Sequence, residues 1–98
     1  MSGWPFDEPQ NLAVISNGKV IFGGEWIALV SHDEDDGGWQ FLSHKTSPLK
    51  EGDAVIVSLR KILRLDPSIA ELADLPPGWR AWRRSKNSPW QCSNAAAQ

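Results

Sequence analysis

The chain has 98 residues, is 41% hydrophobic and 22% charged, and carries a net charge of −2. That is the size and composition of one globular domain, and it excludes a disordered, collagen-like or strongly basic chain. No apolar run approaches the roughly 20 residues of a membrane span, the Met1–Glu8 start lacks the basic and apolar regions of a secretory signal, and a lone cysteine, Cys92, excludes an internal disulfide and a cysteine-based zinc cluster.

These features predict a soluble, cytoplasmic protein with an irregular lead-in over 1–11, one domain over 12–90 and a disordered tail over 91–98. Leu12–Ser16 is a short apolar run stopped by Asn17-Gly18, the strongest hairpin dipeptide, and Lys19–Phe22 follows as its return strand or as the rest of one interrupted strand. Trp26–His32 is the best strand, apolar enough for both faces to be covered. The acidic loop Asp33–Gly38 then turns the chain into a partner strand, Trp39–Ser43, in a register that sets His32 against Trp39, Val30 against Phe41 and Ile27 against His44. On that register Trp39 and Phe41 face inward while Asp33–Asp36 stay wet.

Residues 44–53 read as a loop. Ala54–Val57 is β-branched and reads as a strand, with Ser58 capping a helix from Leu59 to Leu65; a single helix from Ala54 to Leu65 capped by Asp53 also fits the apolar spacing. Asp66-Pro67 starts a further helix to Ala73, which Pro76-Pro77-Gly78 closes. Trp79–Arg84 is a late strand whose alternation sets Arg80, Trp82 and Arg84 on one face and Trp79, Ala81 and Arg83 on the other. The predicted fold is a small α+β domain: an antiparallel sheet with one short helical crossover segment.

No catalytic set, metal site or cofactor motif emerges. Measured from Asp33 as an EF-hand loop, the fifth position is Gly37 and the twelfth is His44, so the calcium pattern fails. His32 and His44 fall at opposite ends of the predicted ribbon, too far apart to share zinc. No serine or cysteine has the surroundings of an activated nucleophile, and His32 is expected to bond loop backbone. Gly23-Gly24 and Gly37-Gly38 open no helix and so make no phosphate cradle. The chain is therefore expected not to be an enzyme.

The strongest binding signal is the C-terminal block. The chain holds six Trp, and three of them, Trp79, Trp82 and Trp90, lie among Arg80, Arg83, Arg84 and Lys86. Trp and Arg carry much of the energy of protein interfaces. We take Arg80, Trp82 and Arg84, with the acidic Asp33, Asp35 and Asp36, as candidate partner-binding residues. The competing assignments make Trp79 and Trp90 core and pair the arginines with Asp33–Asp36 or Asp74, or give the Trp/Arg strand to single-stranded nucleic acid. A pI near 5.6 argues against nucleic acid.

The order of several segments resembles a known family. They are Ala13-Val14-Ile15-Ser16-Asn17, the acidic turn from His32-Asp33 into Gly38-Trp39-Gln40-Phe41-Leu42-Ser43, Leu65-Asp66-Pro67-Ser68, Leu75-Pro76-Pro77-Gly78-Trp79-Arg80-Ala81-Trp82 and Ser88-Pro89-Trp90. Spread over 12–90, they are similar to a bacterial domain of unknown function of the immunity protein thirty-three-like group. The resemblance implies an accessory or immunity protein of bacterial toxin systems that binds a cognate toxin, and it supplies no catalytic residues. Neither a membrane nor a cofactor is expected, and the oligomeric state stays open.

Overall fold

The computed structural model describes residues 3–44 and 51–94. It is an α+β domain built on one six-stranded mixed sheet. The strands are β1 (Ala13–Asn17), β2 (Ile27–His32), β3 (Trp39–Ser43), β4 (Ala54–Ser58), β5 (Trp79–Trp82) and β6 (Gln91–Asn94), in the spatial order β4-β1-β3-β2-β5-β6. Every neighbouring pair is antiparallel except β1 with β3, which is parallel. The expected all-antiparallel sheet is thus corrected at one pair.

That pair exists because the expected hairpin after β1 does not form. Asn17-Gly18 starts a single helical turn, α1 (Gly18–Ile21), instead of a two-residue return. Asn17 is buried, its side-chain amide donates to Ser43 Oγ at 2.9 Å, and its side-chain oxygen accepts from the Ser43 N–H. This ties the end of β1 to the end of β3. β1 therefore sits between β3 and β4, and the Lys19–Phe22 segment supplies no strand. Phe22 is left 81% exposed beyond the turn.

The β2–β3 hairpin has the expected pairs His32 with Trp39 and Val30 with Phe41, but a bulge at Ala28 shifts Ile27 onto Ser43 instead of His44. β4 is a strand, and α2 (Leu59–Leu65) begins where Ser58 Oγ accepts the Lys61 N–H. Asp66 caps the next segment through the Ser68 N–H. Its form is 3-10 over Pro67–Leu72, shorter than the expected helix to Ala73. Of the loop expected over 44–53, residues 45–50 lie outside the described residues and Glu51–Asp53 make one 3-10 turn.

One face of the sheet holds the core. Val14, Val30, Trp39, Phe41 and Ala81 project from it against Leu59 and Ile62 of α2 and against Ile69, Leu72 and Leu75 beyond. Residues 3–12 form no helix or strand but belong to this core. Phe6 is buried edge-on against Trp39 at 5.5 Å, and Trp4 packs beside it. The tail expected over 91–98 is corrected as well: Gln91–Asn94 form β6, paired with the whole of β5, and 95–98 lie outside the described residues. The return is made by the Ser85–Ser88 turn, whose hydroxyls bond each other at 2.8 Å.

Arg83 joins the two halves of the domain. It is 4% exposed and lies just past β5 on the inner face. Its N–H donates to the Ala28 carbonyl at the bulge, and its Nε donates to the neighbouring Ile27 carbonyl at 2.8 Å. Nη1 donates to Ser68 Oγ and the Lys86 carbonyl, Nη2 pairs with Asp66, and the guanidinium lies 4.2 Å from the Trp90 ring centre. Among the described residues the arginine that finds an acid is this one, with Asp66 rather than Asp33–Asp36 or Asp74.

Candidate functional site

The opposite face of the sheet is open over much of its area, with Leu42 on β3 covered at 2% exposure. Strand alternation sends Ile56, Ile15, Gln40, Ser31 and Arg80 outward in one row across neighbouring strands, with Leu42, Leu29 and Trp82 in the next. Both faces of β2 were expected to be covered, but Leu29 and Ser31 on this side are only half-buried. No described helix packs over the row: the long connection from β4 to β5 runs through α2 and the 3-10 helix on the core side.

A groove of about 590 Å³ runs along this face. Ala13, Ile15 and Ile56 form its apolar side, Ser31 and Gln40 its floor, and Arg80 its far wall. The acidic loop closes one end with Asp33, Glu34 and Asp36. Gly78 sets this junction. Its φ of +87° lies in the left-handed region, and its N–H donates to the His32 carbonyl at 2.7 Å. The backbone conformation, not space, calls for glycine: a Cβ there would stand in ordinary contact with Glu34 Cβ at 3.5 Å.

Of the expected residues, Arg80, Asp33 and Asp36 come together in this groove. Asp35 is exposed but does not line it, and Glu34 does. Trp82, 40% exposed, follows Arg80 on the same side of β5. Arg84 lies past the strand and shares a smaller recess with Trp82, Ser88, Pro89 and Gln91. Neither Arg80 nor Arg84 has an ion pair among the described residues. The apolar side of the groove was missed in the sequence. Ala13 and Ile15 alternate along β1, but their facing depends on a parallel partner that no local pattern indicates.

The acidic tip is self-bonded. Asp33 Oδ1 accepts from the Asp35 N–H at 2.7 Å and Asp36 Oδ1 from the Gly38 N–H at 2.8 Å, two local turns that need no ion. No metal-holding group of three His, Cys, Asp or Glu occurs among the described residues. The melting temperature is expected to be the same with and without a divalent chelator, and a drop of several degrees on chelation would contradict that.

His32 has a structural position. Its Nδ1–H donates to the Leu75 carbonyl at 2.7 Å, a contact to the chain before β5 rather than to its own loop. The ring stacks on Trp39 at 3.9 Å, and Nε2 faces the Glu8 carboxylate at 4.0 Å. Glu8 also accepts the Trp39 indole N–H. Three segments are thereby held together, and among the described residues no serine or cysteine hydroxyl or thiol is bonded to this imidazole. His44 is exposed and stacks on Trp26.

No described helix is long and apolar enough to cross a membrane. Comparison with protein-family models, with curated proteins and with solved structures finds no match to this chain.

Proposed function

We propose that the chain is a non-enzymatic protein-binding domain whose partner docks on the open sheet face, and that the partner is a bacterial toxin held in a neutralised complex. The observation that carries the binding reading is a groove lined by Arg80 and the carboxylates of Asp33, Glu34 and Asp36, with the exposed Trp82 next along β5 and Arg84 beside it in a smaller recess, neither arginine being ion-paired among the described residues. Exposed Trp and Arg on one patch are the usual anchors of protein interfaces. The resemblance of segments 12–90 to immunity-type proteins supports a toxin as the partner. A face carrying both signs of charge selects a partner with the inverse arrangement, which raises the association rate and rejects mismatched surfaces. The same carboxylates repel phosphate and weigh against nucleic acid.

The test is affinity capture from the native host with the wild-type chain as bait, followed by binding measurements on the captured partner; recovery of a toxin supports the reading, and recovery of none overturns it. Trp82→Ala is expected to weaken the complex by about 2 kcal/mol, roughly thirtyfold in Kd, with the urea midpoint nearly unchanged. Arg80→Ala is expected to slow association in a salt-dependent way. Unchanged affinity of Trp82→Ala would remove this face from the interface. Tight, steeply salt-dependent binding of single-stranded oligonucleotide, lost in the same variant, would transfer the site to nucleic acid.

A further inference from the structure

The two edges of the sheet are unlike. β6 ends one side with Gln91, Cys92, Ser93 and Asn94, a strand with no β-branched aliphatic residue. β4 ends the other with Ala54, Val55, Ile56, Val57 and Ser58. Edge strands expose a row of unpaired N–H and C=O groups, and monomeric proteins guard them with lysine, proline, bulges or a covering segment. β4 has no charge and no proline, pairs with β1 in unbroken register, and has no described strand on its outer side. Ile56 at its centre is 64% exposed.

We propose that β4 is a self-association edge: a second copy of this chain pairs with it, β4 against β4, about a two-fold axis centred on Ile56. The sequence of the strand carries the choice of occupant. A two-fold pairing of identical strands must be antiparallel, and each residue then meets its mirror position about the centre. Ala-Val-Ile-Val-Ser is self-complementary under that operation. Ile56 meets its own copy, Val55 meets Val57, and the small Ala54 meets the small Ser58. Cross-strand pairs of β-branched residues are among the favourable ones.

Charge agrees with the same register. Continuing the pairing beyond the strand sets Asp53 of one copy opposite Leu59 of the other, beside exposed Arg60 and Lys61 in the first turn of α2. All three charged side chains are exposed within the chain, and none is ion-paired among the described residues. The two-fold axis makes this acid–base contact twice. It also keeps both open faces on one side, so the dimer is a continuous twelve-stranded sheet with two Trp82 surfaces facing the same way. Its association is independent of the toxin reading.

The register makes the test specific. In a Cys92→Ser background, which removes the only cysteine, Ile56→Cys should form a disulfide-linked dimer under mild oxidation. Ala54→Cys alone should not, and Ser58→Cys alone should not, whereas an equimolar mixture of those two variants should cross-link. Phe22→Cys, at a more exposed position outside β4, should stay monomeric. Wild-type protein should show a dimer mass in sedimentation that dissociates on dilution. Ile56→Lys, which sets like charges face to face, should raise the dimer Kd at least ~10-fold with an unchanged circular dichroism spectrum. A monomer mass at the highest soluble concentration, cross-linking of Ala54→Cys with itself, or equal cross-linking of Phe22→Cys and Ile56→Cys overturns the proposal.

Discussion

Arg83→Met is expected to lower the free energy of unfolding by about 3–5 kcal/mol in a urea titration, because it strips a buried ion pair of one partner. Methionine keeps the apolar stem and removes the guanidinium. Asp66 Oδ2 then loses its cation, Ser68 Oγ keeps only the Trp90 indole of its two N–H donors, and the Ile27 and Lys86 carbonyls lose these side-chain donors. The side chains of Arg83 and Asp66 are only 2% and 16% exposed, so water replaces little of what is lost. Arg83→Lys should recover only part of the difference, since one ammonium cannot span acceptors that the planar fork reaches together. Asp66→Asn should cost less than Arg83→Met, because an amide oxygen still accepts the Ser68 N–H. A small domain has roughly 5–15 kcal/mol in all, so a loss within 1 kcal/mol for Arg83→Met would show that the cluster is ornamental.

Phe41→Ala should cost about as much, on the order of 3–5 kcal/mol, through the cavity it opens. Phe41 has no exposure, lies opposite Val30, and stacks at 5.9 Å with Trp39, itself edge-on to Phe6. Strands on both sides of β3 and the lead-in all lean on this row, so little can collapse into the space. Asp35→Asn in the same titration should stay within about 0.5 kcal/mol, since the side chain is exposed and the bond from its backbone N–H survives the change. The reverse ranking would place the wrong face of β3 inside.

What the sequence disclosed follows the range of the interactions involved. Ser58 and Asp66 bond backbone groups two or three residues ahead, so their capping roles are visible in the local pattern. The inward facing of Trp39 and Phe41 follows from period-two alternation in a hairpin whose loop is itself in the sequence. Asn17-Gly18 misleads for the opposite reason. Its dipeptide code is a hairpin turn, but the Asn17 amide is taken by Ser43 on a distant strand, and tertiary bonding overrides the local preference. β6 has no apolar alternation, with Gln91 and Cys92 exposed and Ser93 and Asn94 half-buried, and pairing with β5 makes it a strand. For the candidate site, Arg80 and Trp82 were readable from residue type and alternation. The groove beside them was not, because Ile15 and Ile56 are brought there by the β1–β3 and β1–β4 pairings.

The interior position of β1 has a consequence for synthesis. β1 leaves the ribosome first among the strands, but its neighbours β3 and β4 are made later, and the first strand to follow it, β2, is not one of them. Until β4 emerges, Val14 and Ile15 have half a sheet at most to pair with, and Arg83, which ties β2 to the Asp66 turn, is made later still. The nascent chain therefore cannot complete its fold piece by piece. It closes only after β5 and Arg83 have emerged, and a chaperone that shields short apolar segments has its clearest target in Val14 and Ile15 of β1.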